Sequence, residues 1–99
     1  MRIYYVYILT NYNRTVLYTG VTNDMERRLR EHTLEAKKQT KHFCGGYQVY
    51  YLIYYERYGI VTQAIQREKE IKNMARAKKE EIINCVNPNW DFLNDDFLR

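Results

Sequence analysis

Hydrophobic and polar positions along the first 22 residues follow the pattern of two adjoining strands. The segment RIYYVYILT places apolar or aromatic side chains on both faces of an extended chain, which is typical of a strand covered on both sides. After NYNR, the segment TVLYTGVT returns to a strand pattern, so residues 2–22 are predicted to form an antiparallel hairpin with a four-residue loop. If Thr10 faces Thr15 across this loop, Tyr7 lies directly opposite Tyr18 on one face of the sheet.

The periodicity then changes to that of helices. The cluster TND can cap a helix ahead of a run of strong helix formers, so the first helix is predicted over residues 24–38. The aromatic segment YQVYYLIYYER predicts a third strand that ends near Glu56. Two further helices are predicted in IVTQAIQREKEIKNM and RAKKEEIINCV, the second ending before Pro88. The elements therefore follow the order β-β-α-β-α-α.

Two charged residues fall on the apolar faces of these helices. Met25, Leu29 and His32 define the apolar side of the first helix, and Arg28 falls beside them. The side chains predicted to point away from this side are Arg27, Arg30 and Glu31. Glu68 lies in the middle of the apolar stripe of the second helix. The members of that stripe are Val61, Ala64, Ile65, Ile71 and Ala75.

An unpaired buried charge is costly, so Arg28 needs an anion and Glu68 needs a cation, a metal or a proton. Two interpretations stay open at this point. The two side chains form a structural salt bridge under the sheet, or they belong to an active site.

The combination of residue types favours a site for phosphoryl chemistry. Phosphodiester hydrolysis needs a cation for the charge that develops on the phosphate, a carboxylate for a divalent metal, and a group that orients or deprotonates water. Arg28, Glu68 and the pair of Tyr7 and Tyr18 supply these groups. A tyrosine with a pKa of about 10 is a poor base, but a neighbouring guanidinium or metal ion would favour its phenolate. Gly20 is interpreted as a bulge or as a point where a ligand comes close to the backbone.

Composition sets bounds on size and class. The 99 residues are 45% hydrophobic, which fits a single domain over residues 1–99 without a second core. The acidic and aromatic tail, residues 87–99, is expected to dock on that domain. Cys44 and Cys85 lack C-x-x-C spacing, so we expect reduced, structural thiols rather than a disulfide or a zinc site.

Charge and hydropathy narrow the choice of partners. The formal net charge of +4 is a weak indication of an anionic partner, because two solvated helix faces are the more common origin of such a charge. No apolar run reaches the ~20 residues of a membrane span, and the first ten residues are too rich in tyrosine for a signal peptide. We therefore expect a cytoplasmic protein that does not enter a membrane.

Two short motifs carry a family resemblance. The segment YVY at residues 5–7 and the segment YTG at residues 18–20 resemble the two motifs of the GIY-YIG endonuclease superfamily, and the chain is similar to its small single-domain members. Tyr5 replaces the glycine of the first motif. The resemblance covers most of the chain and implies an α+β fold, a three-stranded antiparallel sheet flanked by helices, which fits the predicted order of elements.

The resemblance also assigns roles. Arg28 and His32 lie ten and fourteen residues after Tyr18, at the spacing of the family's arginine and histidine, and Glu68 matches its metal-binding glutamate. The implied function is a metal-dependent endonuclease that hydrolyses phosphodiester bonds in DNA, with Mg²⁺ or Mn²⁺ on Glu68. Arg28 would stabilise the transition state, Tyr7 or Tyr18 would position or deprotonate water, and His32 would help to orient that tyrosine or contact phosphate. The expected substrate contacts are Gly20, Lys37, Lys72 and Asn87.

Two other classes of function stay open on the sequence. The first is a nucleic-acid-binding or adaptor module that keeps the fold without turnover. The second is a protein-interaction domain that uses the aromatic tail, with the polar residues forming a buried network. The type of DNA substrate, the choice between DNA and RNA, and the contribution of a homodimer or a partner protein to targeting are left open by the sequence.

Overall fold

The computed structural model describes residues 2–38 and 48–98. One antiparallel sheet contains strands β1 (Tyr4–Thr10), β2 (Leu17–Thr22) and β3 (Tyr51–Tyr58) in the order β2-β1-β3. The helices are α1 (Met25–Lys38), α2 (Val61–Lys72) and α3 (Arg76–Val86), followed by a 3-10 turn (Asn94–Asp96). This order confirms the predicted α+β fold, and the helix bounds agree with the prediction to within two residues at each end.

Strand β1 is covered on both faces, as its sequence predicts. Alternate side chains of a strand point to opposite faces, so β1 contributes to two apolar clusters. The cluster between the sheet and helices α2 and α3 contains Val6, Ile8, Ile53, Ala64, Ile71 and Ile83. The cluster between the sheet and α1 includes Tyr7, Leu9, Met25, Leu29 and Leu52.

The register of the hairpin differs from the prediction. Tyr7 pairs with Gly20, and Leu9 pairs with Tyr18, so the expected pairing of Tyr7 with Tyr18 is wrong by two residues. Because the displacement is an even number of residues, both tyrosines remain on the same face of the sheet. Tyr7 and Tyr18 are diagonal neighbours on the face that packs against α1.

Asn11 explains why the loop between β1 and β2 is longer than the four residues predicted. Its Oδ1 accepts hydrogen bonds from the backbone N–H groups of Thr15 and Val16, at 2.8 and 3.1 Å, and its Nδ2 donates to Oγ1 of Thr15 at 2.8 Å. Arg14, with a φ of 62°, donates its N–H to the carbonyl of Asn11 at 3.0 Å. The side chain of Asn11 therefore binds backbone groups that a four-residue loop would have placed in the ladder.

The C-terminal tail contacts the sheet beside β3. The N–H of Leu93 donates to the carbonyl of Leu52 at 2.7 Å, and Oδ1 of Asn94 accepts from the N–H of Leu52 at 2.8 Å. The ring of Phe97 lies edge-on to Tyr5, with centroids 5.3 Å apart. The tail therefore covers part of the β3 edge and adds apolar surface to the face that carries Tyr7.

Two further expectations concern cysteine and the membrane. Cys85 is a free thiol, as predicted, but it is exposed, so its expected structural role is wrong. Cys44 lies outside the described residues. Within residues 2–38 and 48–98, no helix combines the length and the hydropathy that crossing a bilayer requires.

Candidate active site

The ring of Tyr7 lies over Gly20 of the neighbouring strand. A Cβ atom added to Gly20 would lie 2.5 Å from Cζ of Tyr7, closer than non-bonded carbon atoms approach. The φ of Gly20 is not positive, so the glycine is needed for space and not for its conformational freedom. The pairing of β1 with β2 runs through Gly20 without a shift, so the predicted bulge is wrong. A contact between Gly20 and a substrate stays a prediction.

Arg28 and His32 converge on the hydroxyl of Tyr7. Nε of Arg28 donates to Oη of Tyr7 at 3.3 Å, and Nε2 of His32 lies 3.3 Å from the same oxygen. The two residues are four apart on α1, so their side chains share one face of the helix. His32 is buried and Arg28 is half-buried at the edge of that face, which agrees with the predicted inward orientation of both.

Burial sets the protonation of Tyr7. It raises the pKa of Tyr7, the nearby charge of Arg28 lowers it, and Tyr18 and Glu68 raise it, with a net upward shift. In the protein without a bound metal ion, the phenol therefore keeps its proton at neutral pH. Arg28 lowers the pKa of Tyr7, as predicted for a neighbouring guanidinium, but the cost of burying a negative charge exceeds this benefit.

His32 is suited to accept a proton. Burial lowers the pKa of His32 below its usual 6.5, and the charge of Arg28 adds to this effect. The imidazole is therefore neutral at pH 7. Since Arg28 donates to the oxygen of Tyr7, the hydroxyl proton of Tyr7 can point to Nε2 of His32 when the imidazole proton is on Nδ1.

The ring of Tyr18 also packs against the imidazole of His32. Its ring centroid is 5.4 Å from that of His32, and the ring of Tyr7 is 6.2 Å away, both in edge-on orientations. Tyr18 is half-buried, whereas Tyr7 is almost completely buried. Of the two phenols, Tyr18 is therefore the one with greater access to solvent.

Glu68 approaches the same region from α2. Its side chain is only 13% exposed, and Oε2 lies 2.7 Å from Nζ of Lys72. The negative charge of Glu68 contributes to the raised pKa of Tyr7. Arg28 instead pairs with Glu31, with NH1 and Oε1 3.1 Å apart. Within the described part of the chain, the alternative of a structural salt bridge between Arg28 and Glu68 is therefore wrong.

Two other details of the helix prediction need correction. In α2, Ala64 and Ile71 are buried on either side of Glu68, but Val61 and Ile65 are 41% and 40% exposed, so the apolar stripe is narrower than predicted. Glu31 was predicted to point away from the site, yet it binds Arg28. The spacing of three residues between them on α1 is the sequence signal that could have identified this pair.

Asn87 lies in a different part of the molecule. Its Nδ2 donates to the carbonyls of Ile53 and Asp91, at 2.8 and 3.0 Å, and its Oδ1 accepts from the N–H of Asp91 at 3.0 Å. The amide is buried and fully engaged in joining the tail to β3, so its expected role in binding substrate is corrected to a structural one. Lys37 belongs to α1, but its side chain lies outside the described residues.

The possible metal ligands are few. Among residues 2–38 and 48–98, no group of three or more histidine, cysteine or acidic side chains is arranged to hold a metal ion. This part of the chain therefore does not provide a complete set of protein ligands for a metal ion. A single carboxylate such as Glu68 fits Mg²⁺, which commonly keeps several waters and takes its remaining ligands from a phosphate substrate.

Comparison with known proteins agrees with the fold and with the motifs. Residues 3–81 match the GIY-YIG catalytic domain, a match that includes every residue of the cluster around Tyr7. The chain therefore belongs to the GIY-YIG superfamily and is a small member of it, which confirms the resemblance found in the sequence.

Several relatives of this chain are UPF0213 proteins. The chain is 42% identical to a UPF0213 protein of Natronomonas pharaonis over 80 residues, covering 81% of this chain and 89% of that one. It is 39% identical to a UPF0213 protein of Haloquadratum walsbyi, covering 80% and 84%. The solution NMR structure of a UPF0213 protein from Bacillus halodurans superposes with a TM-score of 0.55 at 26% identity, covering 89% of both chains.

Proposed function

We propose that this protein is a metal-dependent endonuclease that hydrolyses phosphodiester bonds in DNA. Membership of the GIY-YIG superfamily supports a nuclease class. The observation that carries the proposal is the convergence of Arg28 and His32 on the hydroxyl of Tyr7, with the carboxylate of Glu68 close enough to affect the same phenol. A purely structural network has no need for a half-buried cation, a neutral imidazole and a carboxylate around one hydroxyl.

Arg28 would stabilise the transition state. Nε and NH1 of Arg28 are oriented by Tyr7 and Glu31, and Tyr18 lies near enough to the guanidinium to raise its pKa. A guanidinium has five N–H donors, so Arg28 can bind a phosphate oxygen in a fixed geometry through those that Tyr7 and Glu31 do not use. Because the side chain is already oriented, its charge needs no rearrangement as negative charge develops on the phosphate.

Tyr7 and His32 would move the proton of the attacking water. The phenol of Tyr7 is too weak an acid to act as a preformed phenolate, because burial raises its pKa. It can instead pass its proton to Nε2 of His32 while its oxygen takes a proton from water. Tyr18, which has greater access to solvent, would position that water or contact the substrate.

Glu68 would hold the metal ion, Mg²⁺ or Mn²⁺. When bound, such an ion neutralises charge on the scissile phosphate and on the leaving oxygen. Glu68 fits this role because its carboxylate is mostly shielded from solvent and its negative charge acts on the pKa of Tyr7. Lys37 and Lys72 would contact the DNA backbone, which would make binding dependent on salt and independent of sequence.

The test is nicking of supercoiled plasmid and of labelled branched DNA, with Mg²⁺, Mn²⁺ or a chelator. The native protein is compared with Glu68→Gln, which keeps the size of the side chain and removes its charge. Glu81→Gln, an exposed glutamate of α3, is the matched control. We expect cleavage that chelator and Glu68→Gln abolish and Glu81→Gln preserves. Cleavage that persists in chelator would contradict the metal requirement.

A nucleic-acid-binding or adaptor module without turnover is the second candidate. The observation in its favour is that Lys72 already neutralises Glu68 in the protein without a bound metal ion. This candidate predicts salt-dependent DNA binding with no cleavage under any metal condition. A protein-interaction domain would show no salt-dependent DNA binding.

A further inference from the structure

Lys72 occupies the carboxylate that the proposed function assigns to a metal ion. Its Nζ lies 2.7 Å from Oε2 of Glu68, one helical turn earlier on α2. The two side chains differ in exposure, at 53% for Lys72 and 13% for Glu68. The ammonium group therefore approaches from the solvent side and lies over a carboxylate that faces the interior.

Within the described residues, no cation other than Lys72 pairs with the carboxylate of Glu68. Arg28, which the sequence offered as a partner of Glu68, is paired with Glu31. Tyr18 is near enough to contribute to the pKa of Lys72, which is raised chiefly by the hydrogen bond to Glu68. The ammonium of Lys72 therefore lies on the solvent side of the carboxylate, at a distance at which it neutralises Glu68.

One carboxylate oxygen cannot bind an ammonium group and a divalent cation closely at the same time, because the two positive charges repel each other. We propose that Lys72 is a displaceable cation, which neutralises Glu68 in the free protein, competes with the divalent cation for that carboxylate, and turns to the DNA phosphate when the cation binds. This inference rests on the proposed role of Glu68 as a metal ligand.

The consequence is that binding of the metal ion and binding of DNA are coupled. In the free protein the cation Lys72 offsets Glu68, and Glu31 partly offsets Arg28. Binding of a divalent cation adds two positive charges and releases the ammonium of Lys72 toward the substrate. DNA should therefore increase the affinity for metal, and metal should increase the affinity for DNA by the same factor.

The experiment measures Mn²⁺ binding by electron paramagnetic resonance, in the full chain, with and without a short DNA duplex. Lys72→Met removes the ammonium and keeps much of the aliphatic stem. Lys69→Met removes an exposed charge from the same helix and controls for the general loss of positive charge. Glu68→Gln identifies the site, and circular dichroism shows whether each variant is folded.

Without DNA, we expect Lys72→Met to bind Mn²⁺ about fivefold more tightly than the native protein, the upper end of the effect of a partly exposed ion pair. Lys69→Met should change the affinity by less than about twofold. With DNA present, the increase in Mn²⁺ affinity should be smaller in Lys72→Met than in the native protein, because the released ammonium no longer contacts phosphate.

The outcomes separate this inference from the proposed function. If Glu68→Gln loses Mn²⁺ binding while Lys72→Met binds as the native protein does, the displacement by Lys72 is wrong and the metal role of Glu68 stands. Equal gains in Lys72→Met and Lys69→Met would also overturn the displacement, because only net charge would be acting. If native protein and Glu68→Gln bind Mn²⁺ alike, the metal role fails and the inference fails with it.

Discussion

The ring of Tyr7 fills the space in which a side chain at position 20 would lie, so the position of one catalytic candidate depends on the absence of a side chain on the neighbouring strand. The hydroxyl at the end of that ring is the oxygen on which Arg28 and His32 converge. The glycine of the second motif and the tyrosine of the first motif are therefore parts of one packing arrangement.

Gly20→Ala tests this arrangement. The added methyl group has to displace the ring of Tyr7, so we expect a loss of stability of about 1–3 kcal/mol and a larger relative loss of turnover. Urea denaturation and plasmid nicking measure the two effects. Gly59→Ala is the control, because a Cβ there would meet no atom within 4 Å. Native stability and activity in Gly20→Ala would show that Tyr7 needs no such space.

Tyr7→Phe removes the hydroxyl and keeps the ring. If the phenol transfers a proton, turnover should fall by about 100-fold or more, while stability changes by no more than about 1 kcal/mol. Single-turnover cleavage and urea denaturation provide the comparison. Tyr18→Phe, measured in parallel, identifies which phenol acts, and a larger loss in that variant would transfer the proton role to Tyr18.

The pH dependence of activity should follow His32. Burial lowers the pKa of this imidazole below 6.5, and only its neutral form can accept the proton of Tyr7. Activity should therefore be constant near pH 7 and fall as the pH drops through the lowered pKa. The pH profile of kcat/KM checks this, with His42→Gln, the other histidine of the chain, as the control. A profile that is the same in His32→Gln would assign the acid limb to another group.

The same shift predicts how stability depends on pH. The pKa of His32 is lower in the folded state than in the unfolded state, so protonation favours unfolding. The contribution of His32 to stability should be constant above about pH 6.5, the unfolded value, and be lost as the pH falls toward the folded value. Urea denaturation at several pH values measures the slope, which should be smaller in His32→Gln.

Arg28→Lys keeps a positive charge but cannot reproduce the planar set of donors that contacts Tyr7 and Glu31 together. Turnover should fall by about 100-fold, with DNA affinity changed far less, because the orientation of the charge matters most in the transition state. Cleavage rates and fluorescence anisotropy measure the two quantities. Arg27→Lys, at a side chain that is 74% exposed, is the control. Equal losses of binding and turnover would contradict the assigned role.

Asn87→Ala tests the corrected role of this residue. The substitution leaves the backbone groups of Ile53 and Asp91 without their partner, so we expect a loss of about 2 kcal/mol in the free energy of unfolding. Activity per folded molecule should remain native. Asn89→Ala, at an exposed position in the same segment, should have little effect. A stable Asn87→Ala protein with weak DNA binding would restore the substrate role.

Local patterns were sufficient to predict the elements and the inward face of α1. The helix formers after TND placed α1 to within one residue of its observed start, and the spacing of Arg28 and His32 placed both on one side of it. These features follow from the side-chain periods of two residues in a strand and 3.6 residues in a helix. Both periods can be recognised within one segment of the sequence, without its packing partners. The two tyrosine motifs, read together with Glu68, were sufficient to identify the superfamily.

The strand register and the side-chain contacts between different elements, by contrast, were decided by the tertiary structure. Asn11 shifted the hairpin by two residues through hydrogen bonds to the loop backbone, and this shift brought Tyr7 over Gly20 instead of opposite Tyr18. Each of these side chains had other possible partners, and only packing of the whole chain selects among them. The protonation of Tyr7 likewise depends on its burial between the sheet and α1, an environment that no local stretch of sequence determines.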